Sequence, residues 1–316
     1  MEESKNQRFI KGRYYFFLLI PLFIFLPFLT PHHSLASEML IFAIFAMGFD
    51  ILFGYTGLLS FGHAIFFGVG AYTSGLILIK FQAPLIIGLL GGIFLSLIIA
   101  LVIGLLSVRN RGIYFVMVTL AFCQMFYFIA LKWTSLTGGD NGLHGVPRPS
   151  IGPIHLDSEI RLYYLILVFF IISLLLALRI VHSPFGRVLY SLKNNEDRAK
   201  SIGFHTDRFK LISFLISACF AALAGGLYAL HLNFVPLETL TIINSGDVVI
   251  MSIIGGIGTL YGPIFGAMLL VYLKNIISGY TEQWNLIMGF LFIVSVLTLR
   301  RGIFFELKEK FLRGKI

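Results

Sequence analysis

Apolar positions in this chain gather into long runs separated by short polar or glycine-rich interruptions. Run length decides their meaning, since about 18 or more successive apolar residues suffice to cross a bilayer core of roughly 30 Å. Runs of about that length fall at 14–30, 38–53, 54–80, 84–106, 112–131, 161–181, 211–230 and 284–299. The stretch 247–277 is too long for one untilted helix. It is cut at its centre by Gly255, Gly256, Gly258, Gly262 and Pro263, which predicts two short helical pieces. If both cross, the chain is a single all-α domain over 1–316 with about ten transmembrane helices. Two polar intervals remain. One, at 132–160, is broken repeatedly by glycine and proline and is expected as a structured external loop. The other, at 182–210, is the only sizeable charged segment within the apolar region.

Composition agrees with the pattern. With 58% hydrophobic and 12% charged residues and a mean hydropathy of +0.91, the chain is excluded from the soluble classes and reads as a polytopic integral membrane protein. Its net charge of +9 does not point to nucleic acid, because the basic residues sit beside the apolar spans, where they set orientation. In a ten-span arrangement only Lys80, Lys132, Arg148, Arg161 and Lys274 fall outside, leaving 19 of the 24 basic residues within. Both termini, the segment 182–210 and the basic tail 300–316 are then cytoplasmic. The run 14–30 is read as an uncleaved first helix rather than a signal peptide, despite Ser34-Leu35-Ala36 behind it. Cys123 and Cys219 both lie in apolar runs and are read as helix packing.

The stretch 54–79 is apolar but unusually rich in glycine, and each interior glycine weakens a helix by roughly 1 kcal/mol against alanine. From Ala64 onward the small residues Ala64, Gly68, Ala71 and Gly75 recur at i, i+4, i+7, i+11, which predicts one face closely approached by another helix. Ala218, Ala222, Gly225 and Ala229 repeat the device. Before Ala64, flexible and polar positions mix at Gly57, Ser60, Gly62 and His63. Irregular backbone at membrane depth must be buried in protein or line a cavity, so these four, with Thr119 and Gln124 further on, are candidates for a translocation pathway or its support. His63 also suits hydrogen bonding to a facing helix. Asp50 is read as the one carboxylate within a span, with Asp247 at a span's end. It either pairs with Arg109 or Arg111 or hydrogen-bonds the broken backbone of 54–62. In the second case asparagine is expected to replace it and leucine not.

The charged interval carries helix punctuation. Ser183-Pro184 suits a helix start, Asn194 or Asn195 an N-cap with Glu196 and Asp197 behind it, and Gly203 a stop. The apolar positions Phe185, Val188, Leu189, Leu192 and Ile202 look like contacts for a partner.

Asp197-Arg198-Ala199-Lys200-Ser201-Ile202-Gly203 resembles a variant of the EAAxxxG loop of ABC-importer permeases. Asp197 stands for the glutamate, Ala199 and Gly203 match, and Arg198 departs from the first alanine. Together with GYTGLLSFGHAIFFGVGAYTSG at 54–75, RGIYFVMVTLAF at 111–122, LTGGDNGL at 136–143 and SPFGRVLYSLKNNEDRAKSIG at 183–203, the chain resembles the permease subunits of bacterial branched-chain amino acid ABC importers, of the LivM type. The resemblance implies a heterodimer with a homologous LivH-type permease in the inner membrane, two cytoplasmic ATPase subunits and a substrate-binding protein. It also implies that 182–210, with Pro184, Gly186, Arg187, Glu196, Asp197, Ala199 and Gly203, is the coupling element that meets the ATPases. No cofactor is expected in this chain, since it has no GxxxxGK[ST] and ATP belongs to the partner subunits. No metal site is expected either, and the absence of HExxH and GxSxG argues against an enzyme. A related permease for urea, short amides or a sugar is the alternative.

Overall fold

The computed structural model describes residues 21, 23–110, 112–148, 158–281, 283, 286, 287, 289, 290 and 293. Of the expected span at 14–30 only residues 21 and 23–30 are described, the span at 284–299 lies largely outside the described residues, and the leader 1–13 and the tail 300–316 lie wholly outside them. In chain order the helices are α1 (His33–Asp50), a π-helical turn (Ile51–Thr56), α2 (His63–Phe81), α3 (Leu85–Ser107), α4 (Ile113–Lys132), α5 (Thr134–Thr137), α6 (Glu159–His182), α7 (Pro184–Asn194), α8 (Glu196–Ser201), α9 (Thr206–Leu232), α10 (Ile242–Gly255) and α11 (Tyr261–Tyr280). Two short strands, β1 (Leu143–His144) and β2 (Phe234–Val235), pair antiparallel with Leu143 opposite Val235. Seven of the described helices are long and apolar enough to cross a membrane, and α10 is a shorter apolar one.

The helices are arranged around α1. Apart from His33, Ser34 and Glu38, all of its residues are buried. A helix that is apolar on every side is stable only if covered on every side, and α6, α9, α10 and α11 pack around this one. At the periphery, α3 and α4 leave large apolar side chains such as Phe94, Leu105, Met117 and Phe128 exposed, the surface that acyl chains cover.

Close packing runs through α2 and α9, and of the face that small-residue spacing predicts for α2 it takes in Ala71 but not Gly68 or Gly75. A Cβ on Gly70 would overlap the Ala222 carbonyl, and one on Gly225 would overlap the Phe67 carbonyl and lie 3.1 Å from the Ala71 nitrogen. Gly92 of α3 joins the same seam, 2.8 Å from the Gly70 carbonyl oxygen on the same measure. Gly68 and Gly75 look elsewhere, towards Leu240 and towards Leu143, Val146 and Val235. The reason is that β2 and the 3-10 turn Leu237–Leu240 descend beside α2, until Ala64 N donates to Ser245 Oγ at 2.9 Å. Small residues on that side accommodate a non-helical strand, while Ala222 and Gly225 of α9 do meet α2.

The descending segment also decides how 247–277 is built. The break falls at 256–260, between α10 and α11, close to where the glycines place it. The second piece is not short: α11 has 20 residues. α10 has 14, about 21 Å of helix, less than the roughly 30 Å core. Segment 233–241 and α10 therefore make that crossing together.

The seam generates a stability prediction. Gly225→Ala puts a methyl group into backbone and should destabilise the detergent-solubilised protein by about 1–3 kcal/mol or more. Gly246→Ala, where nothing lies within 4 Å, should be neutral or stabilising by up to ~1 kcal/mol. Thermal unfolding of both variants reads the difference, and equal melting would mean that the seam yields.

Candidate functional site at two chain breaks

Besides the descending segment 233–241, the main chain of the helical layer is irregular at 57–62 and 256–260, and the structure brings these two breaks to one point. The organiser is Asp50, the last residue of α1 and fully buried. Its Oδ1 accepts from Gly258 N at 2.7 Å and its Oδ2 from Leu260 N at 3.1 Å. Neither Arg109 nor the backbone of 54–62 is its partner, and Arg111 is outside the described residues. The break that Asp50 closes is the distant one at 256–260. Because both carboxylate oxygens accept, asparagine is a poor substitute: its amide group would turn a donor towards one of the two N–H groups.

The backbone at this point has no room for side chains. A Cβ on Gly54 would overlap Asp50 Oδ1 and lie 2.6 Å from Gly258 N. Gly256 and Gly258 have φ of 113° and 79°, and Leu260 adopts φ 58° without being glycine. Thr259 stitches the turn, donating to the Gly256 carbonyl at 2.8 Å and accepting from Gly262 N at 2.9 Å.

Lys193, in the last turn of α7, brings the charged interval to the same place. Its Nζ donates to the Gly54 carbonyl at 2.7 Å. Its Cγ would be 3.3 Å from a Cβ on Gly57, the left-handed residue (φ 83°) that ends the π-helical turn. A carbonyl released by the π-helical register thus finds an ammonium, and α7 is fastened to the first break.

The pathway candidates divide into three settings. Ser60, Gly62 and Thr119 meet: Phe61 N donates to Thr119 Oγ1 at 3.2 Å, Gly62 N to Ser60 Oγ at 3.2 Å, and a Cβ on Gly62 would lie 3.0 Å from the Thr119 carbonyl oxygen. His63 shares a 2.6 Å hydrogen bond with Ser217 of α9 and is enclosed by Phe49, Phe66 and Phe214 at ring distances of 5.0–6.0 Å. Gln124 stands apart on α4, half-buried.

In the charged interval the punctuation takes physical form. Ser183 Oγ accepts from Gly186 N at 3.3 Å, and Pro184 opens α7. Gly186 is demanded by the Val181 carbonyl, which a Cβ would overlap. Asn195 accepts from Arg198 N at 2.9 Å to cap α8, and Gly203 takes φ 96°. Glu196 ties the element to α9, pairing with Lys210 at 2.6 Å and Lys200 at 3.3 Å and accepting from Thr206 at 3.3 Å. Ala199 is buried, whereas Arg187 and Asp197 are exposed.

The apolar positions of this interval mostly do not face outward. Leu189 and Leu192 are buried, Val188 is half-buried and Phe185 stacks on Phe209 at 5.7 Å. An amphipathic helix lying on a bundle turns its apolar face to the bundle. Only Ile202 of the five is open, 70% exposed; Tyr190 at 59% and Phe204 at 39% are exposed as well. Lys193, Leu260 and Tyr190 are the positions of the candidate site that sequence reasoning missed. Lys193 offered only its charge, and Leu260 gave no local sign of a left-handed backbone.

A family model described as branched-chain amino acid transport system, permease component, matches residues 33–296. The chain is 27% identical to the high-affinity branched-chain amino acid transport system permease protein LivM of Salmonella typhimurium, over 93% of this chain and 75% of that one. The LivM protein of Escherichia coli gives the same figures. The autoinducer 2 import system permease protein LsrC of Escherichia coli is also 27% identical, over 68% of this chain and 61% of its own. No solved structure matches significantly. The family match runs from the start of α1 past the end of α11 and takes in both breaks, the Asp50 contact and α7–α8, so the chain belongs to the family of permease components of branched-chain amino acid transport systems.

Proposed function

We propose that the chain is the membrane-spanning subunit of an ABC importer in the cell inner membrane, moving leucine, isoleucine and valine inward. It works with a homologous LivH-type permease, two cytoplasmic ATPase subunits and a substrate-binding protein. The observation that carries the reading is the α7–α8 element. It is capped at each helix start, fastened inward by Lys193 to a break in the membrane layer, and open outward through Tyr190, Ile202 and Phe204. A solvated connector needs none of these, whereas an element that passes movement from an ATPase to a pathway needs all three. The chain has no phosphate-binding loop of its own, so the energy comes from partners.

In this reading α7–α8 and both termini are cytoplasmic, and the loop carrying Gly138–Asn141 faces the binding protein. A permease for another small solute is the second reading, favoured by the likeness to LsrC. That likeness covers 68% of the chain against 93% for LivM, which ranks it second. A thermal-shift screen of the partner binding protein against amino acids, urea, short amides and sugars separates the two: stabilisation by branched-chain amino acids alone is expected.

Three outcomes are expected of the reconstituted importer. Lys193→Met keeps the stem on Gly57 and loses the bond to Gly54, so leucine uptake per ATP hydrolysed should fall several-fold while hydrolysis continues. Unchanged stoichiometry would show that α7 is not the lever. Asp50→Asn should lose about 1–3 kcal/mol of stability through one unpaired buried N–H group, and its uptake should resemble that of Asp50→Leu more than wild type. Gly203→Val has open space around it, so its penalty is the left-handed backbone alone. The chain should insert normally and bind the ATPases weakly in pull-down, and undiminished binding would make the turn a mere connector. Single cysteines at Lys5, Asn195 and Lys310, with Cys123 and Cys219 replaced, test the orientation. Labelling of any of them by an impermeant reagent added outside intact cells would reverse it.

A further inference from the structure

Of the charged interval, α8 is the part least able to hold its own place. It has six residues, of which Ala199 alone is buried, and a helix that short is not stable in water by itself. Polar contacts must fix its direction. Besides the Asn195 cap, the contacts that carry α8 to α9 meet at the carboxylate of Glu196, the first residue of α8. Its Oε2 stands 2.6 Å from Lys210 Nζ, while its Oε1 accepts from Thr206 Oγ1 at 3.3 Å and lies 3.3 Å from Lys200 Nζ. These arms are not equal. The Lys200 side chain is 44% exposed and its pair stays inside α8, so it contributes little. The Lys210 side chain is 5% exposed, and a buried ammonium deprived of its carboxylate is costly. Among the described residues, Glu196 alone forms an ion pair with it.

The start of α9 receives more than Glu196. Phe209, next to Lys210, stacks on Phe185 of α7 at 5.7 Å and meets Phe204, behind α8, edge-on at 5.9 Å. The chain thus closes on itself from 196 to 210. Lys193 is tied elsewhere, to the Gly54 carbonyl, and between it and Glu196 lies Asn195 with extended backbone at φ −161° and ψ 102°. The end of α7 is therefore fastened to the first break, and the start of α8 to α9. With about 100° between successive residues of a helix, turning Glu196 inward sends its neighbours outward, and Asp197 and Arg198 are exposed. If either charge of the pair loses its partner, α8 can lift and let water reach the other at little cost to the bundle, since so little of α8 is buried.

We propose that Glu196 is a positioning residue for coupling: its bond to Lys210 sets the attitude of α8 on α9 and so presents Asp197 and Ile202 to an ATPase subunit. This role rests on the reading of α7–α8 as the coupling element and deepens it. The family resemblance counts Glu196 among the residues that meet the ATPases, but its carboxylate is turned to a buried ammonium. It acts through α8. The two arms then have separate duties: Lys193 links α7 to the break and bears on how much leucine moves per ATP, whereas Glu196 bears on how firmly the ATPase is held.

The test uses the permease pair in proteoliposomes with its binding protein, titrated with the purified ATPase subunits while leucine uptake is measured. Uptake by the wild-type pair that saturates with added ATPase tests the coupling reading by itself. If none appears, that reading fails and Glu196 loses its role with it, whereas wild-type uptake beside unaltered variants overturns the role of Glu196 alone. Glu196→Gln removes the charge while keeping size and an acceptor for Thr206, and Lys210→Met removes the ammonium. In each, the ATPase concentration for half-maximal uptake is expected to rise about tenfold, with the KM for ATP and the melting temperature of the permease pair unchanged. The exchanged pair, Glu196→Lys with Lys210→Glu, restores the bond in reverse, and the half-maximal concentration should return to within about threefold of wild type. An unchanged titration in both single variants overturns the proposal. So does an exchanged pair that restores nothing. A fall in melting temperature, with a loss of uptake that saturating ATPase does not overcome, also overturns it, since the ion pair would then serve the fold alone.

Discussion

A buried carboxylate and two orphaned backbone N–H groups are each costly within a membrane, and in this protein they cancel one another. Asp50 ends a helix covered on every side, where water does not reach it, and it accepts from Gly258 and Leu260 in a stretch that no helix could satisfy. A charge at the centre of a membrane helix costs about 2.5–3.5 kcal/mol on insertion scales and less towards its ends, and an unpaired buried N–H group costs about 1–3 kcal/mol. Meeting both needs with one contact fixes the end of α1 against the start of α11. The same contact dictates glycine at 54, because the carboxylate occupies the place of a side chain there. Lys193 then uses the carbonyl that the π-helical turn leaves over. The irregular backbone is held by a short chain of polar contacts from α7 to α11.

Around that point the scaffold is rigid by close contact rather than by polar bonds. The α2–α3–α9 seam has backbone against backbone at Gly70, Gly92 and Gly225, the arrangement through which helices associate when lipid offers no hydrophobic gain. His63 and Ser217 add one hydrogen bond inside it, enclosed by aromatic rings.

Much of this was legible in the residues wherever a local rule governs. The apolar runs give the helices, the glycines at 255–262 give the second break, and Ser183-Pro184, Asn195 and Gly203 give the ends of α7 and α8. Each rests on capping or backbone freedom within a few residues. What could not be read is pairing across the chain. Asp50 and Gly258 are 208 residues apart, and neither carries a mark of the other. The small-residue face of α2 was ambiguous for a related reason: spacing shows that something comes close, not whether it is a helix or an extended strand. Leu189 and Leu192 were ambiguous too, since an apolar stripe suits the parent bundle as well as a partner.

The long separation of Asp50 from its partners has a consequence for how the protein is made. The carboxylate emerges from the ribosome with α1, whereas Gly258 and Leu260 follow 208 and 210 residues later. At synthesis rates of about 5–20 residues per second that interval is roughly 10–40 s. During it the apolar rod of α1 is ready to enter the bilayer while its terminal charge has no protein donor. The early chain must therefore keep the last turn of α1 at the aqueous boundary, and draw it inward only when α10 and α11 arrive. Membrane insertion of this first buried helix is completed by the last described ones, so a chain truncated before the second break leaves its own centre unfinished.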